Sequence, residues 1–243
     1  MLNTADEETR ISVDDEIYLL ENRFENPKEI FKKICSIIKT HNHSEKLNVC
    51  DVGCATGEFL YYFKTIFPNY DVFGYDISDA MIQIAKKMIP DGTFFVGNVN
   101  SKQFTSKTSF DIVTMTGVLS IFDDTRPSII NCLSLVKKNG LVLISSFFNP
   151  NPIDVILRYR SAESTDLDLK TGWNIHSCHT IEKIIKEIAP KAKLSWHNFE
   201  IPLEIKQTSD PMRTWTVKID NKTSLVNGAC QIVNIKILEI NTC

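Results

Sequence analysis

Glycines and a carboxylate occur at a spacing that could bind a nucleoside. The apolar run 47–52 predicts a buried strand, and it leads into a loop containing Gly53, Ala55 and Gly57. A second predicted strand ends at Asp76, 19 residues beyond Gly57. Glycine allows close approach of the backbone to a ligand, and the N–H groups that open the following helix face that ligand. A carboxylate at this point can accept hydrogen bonds from both hydroxyls of a ribose.

The glycine spacing also distinguishes between cofactors. Gly53-x-Ala55-x-Gly57 is shorter than the G-x-G-x-x-G pattern of dinucleotide enzymes, and Asp51 precedes the loop by two residues. This stretch resembles motif I of the class I S-adenosylmethionine (SAM) methyltransferases, in which an acidic residue leads a G-x-G-x-G loop. The middle glycine of the family is Ala55 here. The resemblance covers about residues 45–240 and implies SAM as the cofactor.

The resemblance implies cofactor contacts for Asp51, Gly53, Cys54, Ala55, Gly57, Asp76, Ile77, Met81, Asn98, Val99, Thr116 and Gly117. Asp76 would hold the ribose diol, and a helix N-cap is the alternative role for it. Ile77 and Met81 would border the adenine, although Met81 could equally be a core residue. The amide oxygen of Asn98 would accept the adenine amino group and the N–H of Val99 would meet the ring. A turn asparagine is the alternative for Asn98.

The end of the fourth predicted strand lies beside the methionine part of SAM in this family. The stretch is Thr116-Gly117-Val118-Leu119 in this chain, at the carboxyl edge where ligands bind open α/β sheets. Many small-molecule members then carry Glu-His, whereas this chain has Ser120-Ile121, so a histidine base is absent there. Residues 148–152 look similar to the N-P-P-Y type motif of amino-methylating nucleic-acid enzymes. They follow the fifth strand rather than the fourth, so that role is not transferred.

Four residues are candidates for the acceptor side of the site. His176 is a candidate general base, with a surface or capping role as its alternative. Trp173 could supply an aromatic wall and Arg213 an anion clamp, with a fold-stabilising ion pair as the alternative for Arg213. Tyr18 could line a lid or simply pack. The run His176-Ser177-Cys178-His179 lacks a second ligand pair, so no metal site is predicted.

The pattern of apolar segments predicts an α/β fold. Strands that alternate with helices indicate a doubly wound parallel sheet. The resemblance implies a Rossmann-like sheet of seven strands, mostly parallel, with an antiparallel C-terminal strand between strands 5 and 6. We expect Pro127 to open a helix that runs to Lys137 and ends at Asn139-Gly140. Residues 229–240 are expected to form the last strand.

The chain is expected to fold as one domain with an N-terminal attachment. Helical spacings within residues 1–44 predict a helical lid or cap, and residues 45–243 form the predicted SAM-dependent methyltransferase domain. Within that domain, the segment 149–227 is too long for a simple connector. We therefore predict that it is an elaborated segment on the substrate side.

Composition limits the possible partners. The chain of 243 residues has a formal net charge of −3 and no Lys/Arg cluster long enough to bind duplex, so no DNA partner is predicted. No apolar run approaches the roughly 18 residues of a membrane span, and no signal peptide is expected. The seven cysteines are scattered without a C-x-x-C pair, which is typical of reduced thiols in a cytoplasmic protein. The oligomeric state is left open.

The predicted activity is transfer of a methyl group from SAM to an oxygen or nitrogen atom of a small-molecule acceptor. A sugar or another secondary-metabolite intermediate is suggested only by analogy. An RNA- or protein-directed methyltransferase is an alternative. A SAM-binding partner protein without catalysis is another, because Ala55, Asn98 and Ser120-Ile121 depart from the family pattern. The glycine spacing disfavours a nucleotide-cofactor oxidoreductase.

Overall fold

The computed structural model describes residues 23–41, 46–162, 169–220 and 222–243. The first elements are α1 (Glu29–Thr40), β1 (Asn48–Val52), α2 (Glu58–Ile66), β2 (Asp71–Asp76), α3 (Asp79–Met88), β3 (Thr93–Val96) and β4 (Phe110–Thr116). A 3-10 turn at Leu119–Ile121 is followed by α4 (Arg126–Leu135), β5 (Val136–Asn149), β6 (Arg158–Tyr159), β7 (Lys170–Thr171) and β8 (His176–Ser177). The last elements are α5 (Cys178–Ile188), β9 (Lys193–Asn198), β10 (Trp215–Ile219), β11 (Lys222–Val226), β12 (Ile232–Val233) and β13 (Ile235–Asn241).

The central sheet has the strand order β3-β2-β1-β4-β5-β13-β9. Neighbouring strands are parallel from β3 to β5, whereas β13 is antiparallel to both β5 and β9. The short strand β8 pairs in parallel with β5 beside this path. The α/β fold with a mostly parallel sheet and an antiparallel C-terminal strand is thus confirmed.

Helices cover both faces of the sheet. Side chains of β1 alternate between the faces, so that Val49 packs in one apolar cluster and Cys50 and Val52 pack in the other. The first cluster includes buried residues of α1, α2 and α3, and the second includes residues of α4 and α5. Because both faces are buried, the inner strands are continuous apolar runs instead of alternating ones.

The predicted end of the fourth helix was wrong. The helix ends at Leu135, and Asn139-Gly140 lies inside β5 instead of following the helix. The pairing of β5 with β4 shifts register at this point, and Asn139 has a φ of +58°. A Cβ on Gly140 would lie 2.8 Å from the carbonyl oxygen of Asp111. The Asn-Gly pair therefore accommodates an irregularity in a strand, a second use of the same turn chemistry.

The predicted last strand, 229–240, is divided in two. Residues Ile232–Val233 pair with β11 in a smaller three-stranded antiparallel sheet, β10-β11-β12. Beyond Asn234 the chain enters the central sheet as β13, and the carbonyl of Asn234 accepts the N–H of Phe148. The segment 149–227 thus contains strands of its own, including the β6-β7 pair. No helix in the described ranges is long and apolar enough to cross a membrane.

Candidate functional site

A cavity of about 1030 Å³ lies along the carboxyl edge of the parallel strands. This volume is at the upper end of the roughly 300–1,000 Å³ that is usual for small-molecule sites. Eight of the predicted cofactor residues line it, and we call the part that they form the cofactor half: Gly53, Ala55, Asp76, Ile77, Asn98, Val99, Thr116 and Gly117.

The glycine loop has little room for side chains. Gly53 and Gly57 have φ values of +73° and +86°, a region that side chains disfavour. A Cβ on Gly53 would lie 2.3 Å from Cγ2 of Val118. Ala55 also has a positive φ, +46°, so the residue that replaces the family's glycine occupies a left-handed conformation. The loop therefore needs glycine at 53 for both conformation and space.

The carboxylate of Asp76 is held by backbone donors. The N–H of Ala55 donates to Oδ2 at 2.8 Å, and the N–H of Ser78 donates to Oδ1 at 2.9 Å. The hydroxyl of Ser78 caps α3 by accepting from the N–H of Met81. The N-cap role that was the alternative for Asp76 is therefore filled by Ser78. Asp76 itself connects the end of β2 to the glycine loop at the cavity edge.

Asp51 does not line the cavity. Its side chain is only 3% exposed, and Oδ1 accepts the hydroxyl of Thr114 at 2.6 Å. The pKa of Asp51 is raised to about 7, mainly by burial; the Thr114 hydrogen bond opposes this rise and the nearby charge of Asp76 adds to it. The predicted cofactor contact of Asp51 is therefore not a direct one in this arrangement.

Three other predicted cofactor residues also lie behind the cavity wall. Cys54 is buried, and burial raises the pKa of its thiol well above the ordinary value. Gly57 caps the start of α2, and a Cβ there would lie 3.2 Å from the Cβ of Ala85. Met81 is a buried residue of α3, together with Ile82 and Ala85, which agrees with its alternative role as a core residue.

The turn after β3 brings Asn98 and Val99 to the cavity. The side-chain oxygen of Asn98 accepts the N–H of Asn100 at 2.9 Å, which is the geometry of a turn asparagine. The amide of Asn131 donates to the carbonyls of Val99 and Ser101 at 2.6 and 2.8 Å. The turn is therefore fixed from α4, and its asparagine already serves a local role.

The end of β4 presents a polar atom without a protein partner. The hydroxyl of Thr116 is buried and has no hydrogen bond within the described part of the chain. Gly117 has a φ of +77°, and its N–H donates to the carbonyl of Ser145 at 2.8 Å. Ser120, which stands where many small-molecule family members carry the glutamate of Glu-His, lines the cavity and donates to the carbonyl of Gly117 at 3.2 Å.

Two of the four predicted acceptor-side residues line the cavity. Trp173 and Arg213 are both in its wall, and the indole N–H of Trp173 donates to the carbonyl of Met212 at 3.0 Å. Tyr18 lies outside the described residues. His176 is 2% exposed and is not part of the wall.

The surroundings of His176 explain why it is buried. Its Nε2–H donates to the carbonyls of Leu119 and Phe122, with distances of 3.2 and 2.9 Å. Burial lowers its pKa, which favours the neutral ring. This arrangement ties β8 to the 3-10 turn after β4. In the described ranges, no group of three or more His, Cys, Asp or Glu side chains could hold a metal ion.

Sequence reasoning missed several cavity residues. Ser145, Ser146 and Phe147 of β5 line it, and so do Arg23 and Lys28 ahead of α1. A signal was present, because two serines interrupt the apolar run of β5 close to its carboxyl end. The N-terminal residues carried no comparable signal, since their position depends on how α1 packs.

Comparisons with known proteins agree with this architecture. A family model described as a methyltransferase domain matches residues 19–188. A demethylmenaquinone methyltransferase of Thermotoga maritima is 31% identical over 103 residues, 42% of this chain and 44% of the relative. A malonyl-[acyl-carrier protein] O-methyltransferase of Ilyobacter polytropus is 28% identical over 115 residues, 46% of this chain and 42% of the relative. The matched stretches thus span less than half the length of these curated relatives.

Solved structures share the fold at low identity. A SAM-bound amino pentose methyltransferase from Micromonospora echinaspora has a TM-score of 0.58 at 14% identity, covering 93% of this chain and 97% of that one. A SAM-bound magnesium protoporphyrin IX methyltransferase from Synechocystis has a TM-score of 0.54 at 16% identity, covering 88% and 79%. Since the family model matches well over half of the chain, this protein belongs to the class I SAM-dependent methyltransferase family.

Proposed function

We propose that this chain binds SAM in the cofactor half of the cavity and transfers its methyl group to an oxygen or nitrogen atom of a small metabolite. The observation that carries the proposal is the convergence of four chain segments on one cavity: the glycine loop, Asp76, the turn at 97–99 and residues 116–117. These segments follow β1, β2, β3 and β4, whose carboxyl ends meet at one edge of the sheet.

The residues present fit such a cofactor. Gly53 lines the cavity in a left-handed conformation, so no side chain stands between its backbone and a ligand. Asp76 offers a carboxylate whose orientation is held by two backbone N–H groups. The buried hydroxyl of Thr116 has no partner among the described residues, and a bound polar group would satisfy it. Asp76 would hold the ribose, Ile77 and Val99 would border the adenine, and Thr116 and Gly117 would lie beside the amino-acid part.

Bound SAM supplies a methyl group that its sulfonium charge already activates. The contribution of the chain is then to position the acceptor, and good orientation can lower a barrier by about 7–11 kcal/mol. His176 stays a prediction as the base, but its Nε2–H already donates to two carbonyls. The sugar acceptor also stays a prediction from analogy.

Residues ahead of α1 support the proposed role of 1–44 as a lid. Arg23 and Lys28 line the cavity, and Nη1 of Arg23 lies 3.8 Å from the carboxylate of Glu58, the first residue of α2. Both Arg23 and Glu58 are largely buried. An N-terminal cap held to the start of α2 would exclude water from the cofactor half.

Calorimetric titration with SAM, S-adenosylhomocysteine and NADH tests the proposal. We expect binding of the first two and none of NADH. Asp76→Asn should weaken S-adenosylhomocysteine binding about tenfold or more, because a charge-assisted contact is lost. Asp79→Asn is the matched control, since Asp79 is exposed and lies outside the cavity. Binding of NADH alone, or equal affinity in Asp76→Asn, would refute the proposed cofactor site.

A SAM-binding protein without catalysis is the second candidate. Two observations favour it: the left-handed Ala55 in place of glycine, and the Asn98 oxygen that already accepts the N–H of Asn100. Release of S-adenosylhomocysteine, measured for the wild-type protein and for Ala55→Gly, discriminates between the candidates. Under the catalytic proposal the wild-type protein releases S-adenosylhomocysteine when supplied with an acceptor. Tight SAM binding without product, in both proteins and across a metabolite panel, would favour the second candidate.

A further inference from the structure

The cavity continues beyond the cofactor half, along the same edge of the sheet past β4. Ser145, Ser146 and Phe147 of β5 line it, together with Ile235 at the start of β13 and Phe199 just after β9. Ile235 pairs with Phe147, and the next residue of β13 pairs with the last residue of β9. Because β13 is antiparallel to its neighbours, its N-terminal end meets their carboxyl ends. Three adjacent strands therefore form a continuous floor, which we call the floor of the acceptor half.

The wall that packs beside this floor is mostly apolar, with Thr208 and Thr214 as its uncharged polar residues. Ile201, Ile205 and Leu225 line it and belong to one apolar cluster with Phe147 and Ile235. The ring of Trp173 packs edge-on against Phe147, with 6.3 Å between the ring centroids. A wall of this kind favours an acceptor with an apolar chain or ring. A sugar, in contrast, needs a polar partner for each hydroxyl to replace water.

Arg213 is the charged residue of this wall. Among the described residues that line the cavity from β5 onward, it is the one that carries a charge. Its guanidinium has no hydrogen bond or ion pair with any described residue, although it is half-buried. The fold-stabilising ion pair considered from the sequence is thus not formed within the described ranges. A guanidinium beside apolar surface is suited to an anion, because its donors match a carboxylate in a bidentate arrangement.

Ser146 gives a second, independent indication of a polar group on the ligand. Ser146 lines the cavity, the residue is 5% exposed, and its hydroxyl has no hydrogen-bond partner in the part of the chain described. A buried hydroxyl without a partner is unfavourable, and native proteins rarely keep one without a use. A polar atom of a bound acceptor would satisfy it.

We propose that the acceptor half binds an amphipathic acceptor: an apolar chain or ring that carries one anionic group, with the anion on Arg213 and a polar atom on Ser146. This inference rests on the proposed function and names the substrate class of the same cavity. The apolar wall determines the body of the acceptor, and Arg213 selects the anionic members.

The test is binding of three probes to the protein saturated with S-adenosylhomocysteine. Decanoate has an apolar chain and an anion, 1-decanol has the chain alone, and glucuronate has an anion on a sugar. We expect decanoate to bind at least about tenfold more tightly than either of the others, because it alone satisfies both the wall and Arg213.

Variants assign the contacts. Arg213→Gln should reduce decanoate affinity about tenfold or more and leave 1-decanol unchanged. Arg160→Gln is the matched control, since Arg160 is exposed and outside the cavity, and it should bind decanoate normally. Ser146→Ala should leave decanoate affinity unchanged, because decanoate has no polar atom besides its carboxylate, and should reduce the affinity of 10-hydroxydecanoate, which carries a second polar atom, about threefold to tenfold, the range of one hydrogen bond. The Ser146→Ala substitution should not lower stability, because the hydroxyl it removes has no hydrogen-bond partner among the described residues.

Each outcome has a separate meaning. S-adenosylhomocysteine binding without decanoate binding overturns this inference and leaves the proposed function intact. Decanol or glucuronate binding as tightly as decanoate, or normal decanoate binding by Arg213→Gln, also overturns it. If S-adenosylhomocysteine itself does not bind, the proposed function fails, and this inference fails with it.

Discussion

Replacing Asp51 with asparagine should change how stability depends on pH. The asparagine oxygen can still accept the hydroxyl of Thr114, which Asp51 binds at 2.6 Å. Asparagine does not ionise, however, whereas the buried carboxyl of Asp51 has a pKa raised from 3.8 to about 7. The substitution therefore removes one titration and keeps the local shape. This makes it a direct probe of the electrostatics behind the glycine loop.

The magnitude follows from the pKa. Between pH 3.8 and about 7 the folded protein keeps the proton on Asp51, whereas the unfolded chain releases it. The free energy of unfolding therefore falls as pH rises, by about 1.4 kcal/mol per pH unit. Above pH 7 the total is about 4 kcal/mol. The buried amide hydrogens of the asparagine add a cost of about 1–3 kcal/mol that does not depend on pH.

Urea unfolding at pH 4, 6 and 8 measures the effect. We expect Asp51→Asn to gain about 4 kcal/mol relative to wild type between pH 4 and pH 8, whatever the constant cost. The difference between variant and wild type cancels contributions of other groups. Asp124→Asn is the control, because it makes the same chemical change at an exposed position. Parallel curves for Asp51→Asn and wild type would refute the reasoning.

Two further substitutions test the loop and the buried histidine. Gly53→Ala should lower the free energy of unfolding by at least about 1–2 kcal/mol, from the left-handed conformation alone, and the contact with Val118 adds to this. Adding Val118→Ala should recover only the part of the lost stability that comes from the contact with Val118. Wild-type stability of Gly53→Ala in urea unfolding would contradict this reasoning. His176→Ala should lower it by about 1–3 kcal/mol, because two buried carbonyls lose their donor, with S-adenosylhomocysteine affinity unchanged in calorimetry. Burial lowers the pKa of His176 in the folded protein, so the unfolded chain takes up the proton first as the pH falls below about 6.5. Wild type should therefore lose stability below that pH, and the variant should lack this dependence.

Local sequence patterns predicted residues that meet at the carboxyl ends of β1 to β4. The run of residues 47–52, the glycine loop and the carboxylate at the end of β2 are contiguous features, and each depends on its own backbone preferences. The capping of α3 is equally local, because the hydroxyl of Ser78 accepts the N–H of Met81 within the same turn. Short-range chemistry of this kind can be read without knowledge of the rest of the fold.

Longer-range contacts decided the residues that prediction could not place. Asp51 sits in the motif of the loop, yet its partner is Thr114 on β4, so it faces the interior instead of the cavity. His176 is predicted as a candidate base from the sequence, but only the folded chain brings its ring to the carbonyls of Leu119 and Phe122. The Asn139-Gly140 pair has the chemistry of a helix end, but pairing of β5 with β4 placed it inside a strand.

The sequence by itself determined the family, the alternation of strands and helices as far as β4, and the loop at the end of β1. These properties depend on residues that are neighbours in the chain. The tertiary structure alone decided which side chains line the acceptor half, because its floor joins β5, β13 and the end of β9. Parallel strands bring their carboxyl ends to one edge whatever their separation in sequence. Ser146 lies on the central sheet and Arg213 lies just ahead of β10 of the smaller sheet, so the two line one cavity only through tertiary packing.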